Sequence, residues 1–504
     1  MAAVIPLPAK ASEAKGLLYW MERALKERAR VLASPDEEAI HDLRVALRRC
    51  RSLASVFEEV DPNPAWRDLR KASRKLFRSL GAIRDSQVQE SWVLKLAGAD
   101  NVLRTQILYA VKAGRDRQER EAKKNAAKFD EKAWTKLALA LRSRLKLIPI
   151  DGPAAQCLAL ERLEEAAELH RRALRTEKPK PWHELRIGVK HFRYTVENLL
   201  PKQHASWSSD LKRVQDLLGD VHDLDVLLDT IRGAAPESPA LDQWKETIAR
   251  ERTERIATYR QLTLGTTSLW NQWRLGLPTN GHVAEAAQAR LLATAKAADP
   301  NRAKTAGTAR LAKKLFKELK RAAASPIFKE QRLEVLATAV FLLHGIDPEN
   351  SGKRAYKDAR KFLTKLPPPP GWTGDEWRLL ALTIRYQRGA APSAESGRFA
   401  ELEPAQQNRL LLIAGILRTV RSLQKMGVAP NVKIRVEPNP DSISILVEGF
   451  SEAQAAPNAL VAGKRMLESA LGKSIAFHAL EKVEPMLPLE FPSATSKTLA
   501  AGAD

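Results

Sequence analysis

Leu43, Ala46, Leu47, Cys50, Leu53, Ala54 and Phe57 recur at three- and four-residue intervals, and His41, Arg44, Arg48 and Arg51 fall between them. At about 100° per residue the two sets take opposite sides of a helix, the basic set within an arc of roughly 80°. The pattern returns further along, with Leu185, Val189, Phe192, Val196 and Leu199 opposite His183, Arg186, Lys190 and Arg193. Ahead of the first copy, Leu17, Leu18, Met21 and Leu25 predict a helix over 12–30, and Ser34-Pro35-Asp36-Glu37 supplies a cap and an acidic first turn for the next. Beyond Asp61-Pro62-Asn63-Pro64 a third helix carries Arg67, Lys71, Arg74 and Arg78 along one face and ends in Leu80-Gly81-Ala82-Ile83-Arg84-Asp85. The second copy has a matching end, Leu218-Gly219-Asp220-Val221-His222-Asp223. Lys212 and Arg213 stand there where the first copy has Arg74 and Lys75, but Asp216 replaces Arg78, so the second stripe is weaker. Helical periodicity also marks 112–128, 134–146, 158–175 and 244–275, and no strand pattern precedes residue 280. The expected fold is mainly α, two similar antiparallel four-helix bundles joined about a pseudo-two-fold.

Small residues dominate 276–304, which reads as a linker holding a helix over 285–298. Helical spacing resumes over 311–324, 331–344, 354–366, 376–388 and 404–424, interrupted by the prolines at 367–370. Residues 432–436 and 442–447 then alternate apolar and polar across a Pro-Asn-Pro-Asp turn, predicting a β-hairpin followed by a helix. The second domain is therefore expected to be a smaller α+β unit over 305–485, with 486–504 a flexible tail.

Charge sharpens this picture. The 504 residues carry 83 Lys and Arg against 60 Asp and Glu, a net charge of +23, which favours a polyanionic partner. Solvated helix faces usually mix signs, yet between Arg44 and Arg51 there are four arginines and no acid. Like charges stacked at i,i+4 cost a few tenths of a kcal/mol per pair unless an anion lies over them, so the rails read as a multivalent anion site. Two cysteines, Cys50 and Cys157, speak against a disulfide framework. With no apolar run of about 18 residues and too short an apolar start for a secretory signal, the expectation is a cytoplasmic protein without a membrane span. The tryptophans do not interleave with the basic rails at a spacing suited to base stacking, which makes nucleic acid an unlikely primary partner.

The doubled motif, His41-x-x-Arg44-Val45-x-x-Arg48-Arg49-x-Arg51 with Leu80-Gly81-x-x-Arg84-Asp85, and His183-x-x-Arg186-Ile187-x-x-Lys190-x-x-Arg193-Tyr194 with Leu218-Gly219-x-x-His222-Asp223, resembles the CHAD domain. The resemblance covers about 12–275, in halves of about 12–150 and 151–275, and implies a basic central pore that binds inorganic polyphosphate. By that likeness the phosphate contacts are His41, Arg44, Arg48, Arg51, Arg74, Lys75 and Arg78, with His183, Arg186, Lys190, Arg193, Lys212 and Arg213. Arg49 and Lys71, on the same basic segments, join them as candidates. A histidine on a cationic rail has a lowered pKa unless phosphate restores its proton, so the rail histidines are assigned hydrogen bonding and not acid catalysis.

Residues 339–346, 376–389 and 411–418 resemble the HD-like C-terminal domain of exopolyphosphatase and guanosine pentaphosphatase proteins. Such sites hold a divalent metal through paired His and Asp ligands. Here Gly345 replaces the acid after His344 and Arg421 stands where a later Asp belongs, and neither can ligate a cation. The domain reads as a degenerate relative with His344 structural, no catalytic residues, no metal and no cofactor. Its Lys353, Arg354, Lys357, Arg360 and Lys361 are either a solvated helix end or added polyphosphate contacts. The expectation is a cytoplasmic bacterial polyphosphate-binding protein, associated with polyphosphate granules and their proteins. The rivals are a metal-dependent polyphosphate phosphohydrolase and a nucleic-acid-binding protein.

Overall fold

The structure is a computed structural model, described here for residues 16–480 except 35, 98–100, 102, 235–236, 394, 396 and 452–457. The expected tail at 486–504 lies outside the described residues. The first helices are α1 (Leu17–Ala33), α2 (Glu37–Glu58), α3 (Pro64–Ala72), α4 (Arg74–Leu96), α5 (Arg104–Lys112), α6 (Arg115–Ala127) and α7 (Glu131–Arg142). The next are α8 (Pro153–Ala173), α9 (Pro179–Leu199), α10 (Pro201–Ala234), α11 (Pro239–Thr263), α12 (Leu269–Leu275) and α13 (Gly281–Ala298). Then follow α14 (Arg302–Ala322), α15 (Leu333–Leu343), α16 (Ala355–Leu363), α17 (Gly374–Tyr386), α18 (Gly397–Ala400) and α19 (Pro404–Lys425). The chain closes with β1 (Ile434–Pro438), β2 (Ser442–Val447), α20 (Asn458–Leu471) and β3 (Ser474–Ala479).

The chain divides into two compact units, one of residues up to Thr305 with Thr338–Arg388, the other of Ala306–Ala337 with residues from Gly389 onward. In the first unit, α1, α2, α4 and α6 pack as one bundle and α8, α9, α10 and α11 as the other, with α2 crossing α9 between them. The repeat explains why. Leu43, Leu47 and Leu53 of α2 and Leu185, Val189 and Phe192 of α9 are buried in one shared core, which leaves both basic sides turned out of it. The Asp36 side chain caps α2 by accepting from the Ala39 N–H at 2.7 Å, with Glu37 and Glu38 in the first turn where the dipole favours acids. Close approach of α8 and α9 requires Gly188, where a Cβ would come within 2.7 Å of Leu169 Cδ1.

The two halves differ where the third predicted helix of the first is broken at Ser73. Its hydroxyl donates to the Leu69 carbonyl at 3.1 Å and the Arg70 carbonyl at 3.3 Å, a local bond that competes with helical continuation. The matching α10 runs without a break.

The 276–304 stretch, expected as a linker, forms α12's exit and α13, and α13 packs on α8. Its Arg290 is fully buried, with Nε 2.9 Å from Glu161 Oε1. Likewise, α16 and α17 belong to the first unit and α19 to the second, so the domain expected over 305–485 is divided between the two. Within the second unit the predicted hairpin is β1 and β2, antiparallel with Ile434 opposite Val447. A third strand not foreseen, β3, lies parallel to β2 from Ser442↔Ser474 to Val447↔Ala479.

Candidate functional site

The crossing of α2 and α9 brings two pairs of rail cations together. Lys190 on α9 feels Arg186 on its own helix and Arg48 and Arg44 from α2, and burial with these neighbours pulls its ammonium down to about 8. Arg44 is also drawn below its usual value, by burial first, then by Arg48, Arg84 and Arg186, with Asp85 opposing. The Arg44 guanidinium donates to the Gly81 carbonyl at 3.3 Å and lies 3.8 Å from Asp85, the one ion pair any of these four cations makes among the described residues. Arg48 sits over the Tyr194 ring at 5.8 Å from its centroid. The Arg48 Nε and the Tyr194 hydroxyl are both buried without a hydrogen-bond partner.

Beside this group, Arg48, Arg51, Arg70, Lys190, His191 and Tyr194 help line a cavity of about 340 Å³. Arg51 is held there by the Ser73 hydroxyl at 3.2 Å, by the Arg70 carbonyl and by the Phe77 ring at 5.1 Å. The break at Ser73 thus presents a carbonyl that fixes a rail arginine. Phe77 also lies 5.8 Å from the Arg44 guanidinium, so one ring supports two cations.

At the other side of the crossing one imidazole of His183 and His222 donates Nδ1–H to the other's Nδ1 at 3.2 Å. Burial, followed by Arg186, His183 and Lys190, pushes His222 down to about 4, and His183 is lowered for the same first reason. Both are neutral near pH 7. Asp223 is pushed up to about 6 by burial, against Arg186, with Asp220 and Asp85 adding to the rise.

The remaining candidates scatter. Arg49 pairs with Glu197 and lies over Trp20 at 5.4 Å, which commits it to holding α1, α2 and α9 together. Arg193 has a buried Nε without a partner and acts with Arg49 on His204. His41, Arg74, Lys75 and Arg78 are exposed, as is Lys71, whose ammonium is 3.7 Å from Asp68. Arg213 and Lys212 are exposed on α10, with Lys212 bound to Asp216 at 2.7 Å. Tyr194, Asp85 and Asp223 stand inside the repeated motif, which was their only signal. Arg70 and Phe77 gave none, because their role depends on the break at Ser73.

In the region with HD-like resemblance, His344 is buried and its Nδ1–H donates to the Phe341 carbonyl at 2.8 Å. Lys353, Arg354 and Lys357 are exposed at the start of α16, and Lys361 is 3.3 Å from Asp358. Among the described residues no three His, Cys, Asp or Glu side chains cluster as a metal site, and no helix is long and apolar enough to cross a membrane.

The family described as the CHAD domain matches residues 20–232, and these residues form a CHAD domain. The match does not reach the region with HD-like resemblance. No curated protein matches the chain. Nine chains of solved structures do. One is the crystal structure of the CHAD domain from the plant Ricinus communis, 23% identical, covering 54% of this chain and 96% of that one, with a TM-score of 0.35.

Proposed function

We propose that the CHAD domain over residues 20–232 binds inorganic polyphosphate at the crossing of α2 and α9, as a binding module and not an enzyme. The observation that carries this reading is the convergence of Arg44, Arg48, Arg186 and Lys190, which hold one another's charge at close quarters with a single ion pair among the described residues, Arg44–Asp85. Such a cluster is unfavourable alone and is relieved by a multivalent anion. Each charge-assisted hydrogen bond to a phosphate oxygen contributes roughly 1.5 to 3 kcal/mol. Hydroxyl and amide groups that read base edges are not needed for a polymer made only of phosphate. Association with polyphosphate granules would follow from the same affinity.

Calorimetry of the full chain with long-chain polyphosphate at two salt concentrations tests this, with orthophosphate and single-stranded RNA as comparators. Tight binding that weakens steeply with salt and prefers polyphosphate is expected. RNA outcompeting polyphosphate would overturn the reading, and metal-dependent release of orthophosphate would overturn the claim that the module is not an enzyme.

Lys190 supplies an independent readout. Bound phosphate favours the charged ammonium and raises a pKa that burial holds at about 8 in the free protein. The free protein has lost that proton above pH 8 and the complex keeps it, so affinity should fall as pH rises through this range. Calorimetry near pH 8.5 in buffers of different ionisation enthalpy should therefore show proton uptake on binding, and Lys190→Arg should remove the uptake while binding persists. Equal uptake in both proteins would place the phosphate away from Lys190.

A further inference from the structure

The second unit carries a basic helix face of its own. Along α14, Leu311, Ala312, Leu315, Phe316 and Leu319 are buried, and Arg310, Lys313 and Lys317 are exposed on the other side. These three lie at i, i+3 and i+7, one line along the helix. The cations at the helix end have local partners: Lys320 with Glu334 at 2.8 Å and Arg321 with Glu318 at 2.7 Å. Lys314 is spent on the Val432 carbonyl at 2.7 Å. Glu330, the other acid nearby in sequence, is taken by Arg409. Arg310, Lys313 and Lys317 make no ion pair among the described residues, and the combined field of Lys313, Lys317 and Lys320 is felt at Glu334, whose carboxyl is held below its usual value by the Lys320 hydrogen bond first. Cations in the last turn are explained by the helix dipole, but those of the middle turns are not.

We propose that this α14 face is a second polyphosphate contact, so that a long chain engages the protein at two places and a short one at only one; this rests on the polyphosphate reading of the CHAD domain. The phosphate polymer fits better than single-stranded nucleic acid because Phe316, the one aromatic residue of α14, is buried, so the helix offers no ring to stack a base. Two linked contacts multiply, since the second forms at the effective concentration set by the first.

The test compares the full chain with its Arg310→Glu, Lys313→Glu, Lys317→Glu variant, using tripolyphosphate and long-chain polyphosphate as probes. Glutamate favours helix and all three sites are exposed, so circular dichroism should be unchanged. The variant should bind tripolyphosphate like the parent and lose about tenfold or more in long-chain affinity. Unchanged long-chain affinity in the folded variant overturns the proposal, as does a loss confined to RNA. A parent that binds no polyphosphate at all would instead refute the reading of the CHAD domain, which keeps the two failures apart.

Discussion

Replacing Arg44, Arg48, Arg186 and Lys190 together with alanine is expected to reduce long-chain polyphosphate affinity by more than a thousandfold while the helices persist. Four charge-assisted contacts at about 1.5 kcal/mol each amount to about 6 kcal/mol, and the low end of the range is appropriate because the side chains are only half-buried. Stability should not suffer. The substitution removes mutual repulsion that already pulls Lys190 down to about 8, alanine is the best helix former, and the direct ties lost are those of Arg44 to Gly81, Asp85 and the Phe77 ring and of Arg48 to the Tyr194 ring. The slope of affinity against salt should flatten, since fewer counterions are released. Equilibrium titration at fixed salt with a thermal melt of the same sample checks both halves. A folded variant that binds like the parent would move the site off the crossing.

The second large effect is on folding. Gly345→Asp places the acid that an HD-type metal site would want, and it should destabilise the first unit by about 3 kcal/mol or more, combining overpacking with a confined charge. A Cβ at this position would come within 2.5 Å of both Asp299 Oδ2 and Thr305 Cγ2. Neither neighbour is free to withdraw: Asp299 accepts from Thr305 Oγ1 and, at 2.9 Å, from the Asn301 N–H, and the Ala298 carbonyl next to it accepts from the Asp347 N–H at 2.7 Å. Gly345→Ala separates the terms, because it brings the steric conflict without the carboxylate beside Asp299. Urea unfolding should rank the parent above the alanine variant and the alanine above the aspartate, with the gap between the variants narrowing at acid pH as the new carboxyl protonates. An aspartate variant as stable as the parent and further stabilised by a divalent metal would refute this account.

The helical repeat was legible because each copy pairs an apolar stripe with a basic one, and burial of Leu43, Leu47, Leu185 and Val189 needs no knowledge of tertiary structure. Convergence of the rails was legible from the pseudo-two-fold the repeat implies, which sets basic helices facing one another across the junction, but nothing local says that α2 and α9 are the pair in contact. What the chain order hid is long-range. Arg290 reads as a surface residue on an alanine-rich segment, yet it is fully buried against Glu161, so 276–304 passed for a linker. Arg49 sits among rail arginines but is one residue off their face, and Glu197 claims it. Similarly, β3 is a short strand whose partner, β2, reaches it through a parallel register that no hairpin turn announces. Ser73 looked like any helical serine, although its hydroxyl divides a helix.

That division has a consequence for how a polymer would be read. Linear polyphosphate is the same from either end, and a site with true dyad symmetry would return the compliment, offering a chain two indistinguishable entrances. Here the cavity wall at Arg51 is shaped by a broken helix, the Arg70 carbonyl and Phe77, whereas the matching stretch of α10 is continuous. The two halves are chemically unlike here, so a polyphosphate bound as proposed would meet a front and a back.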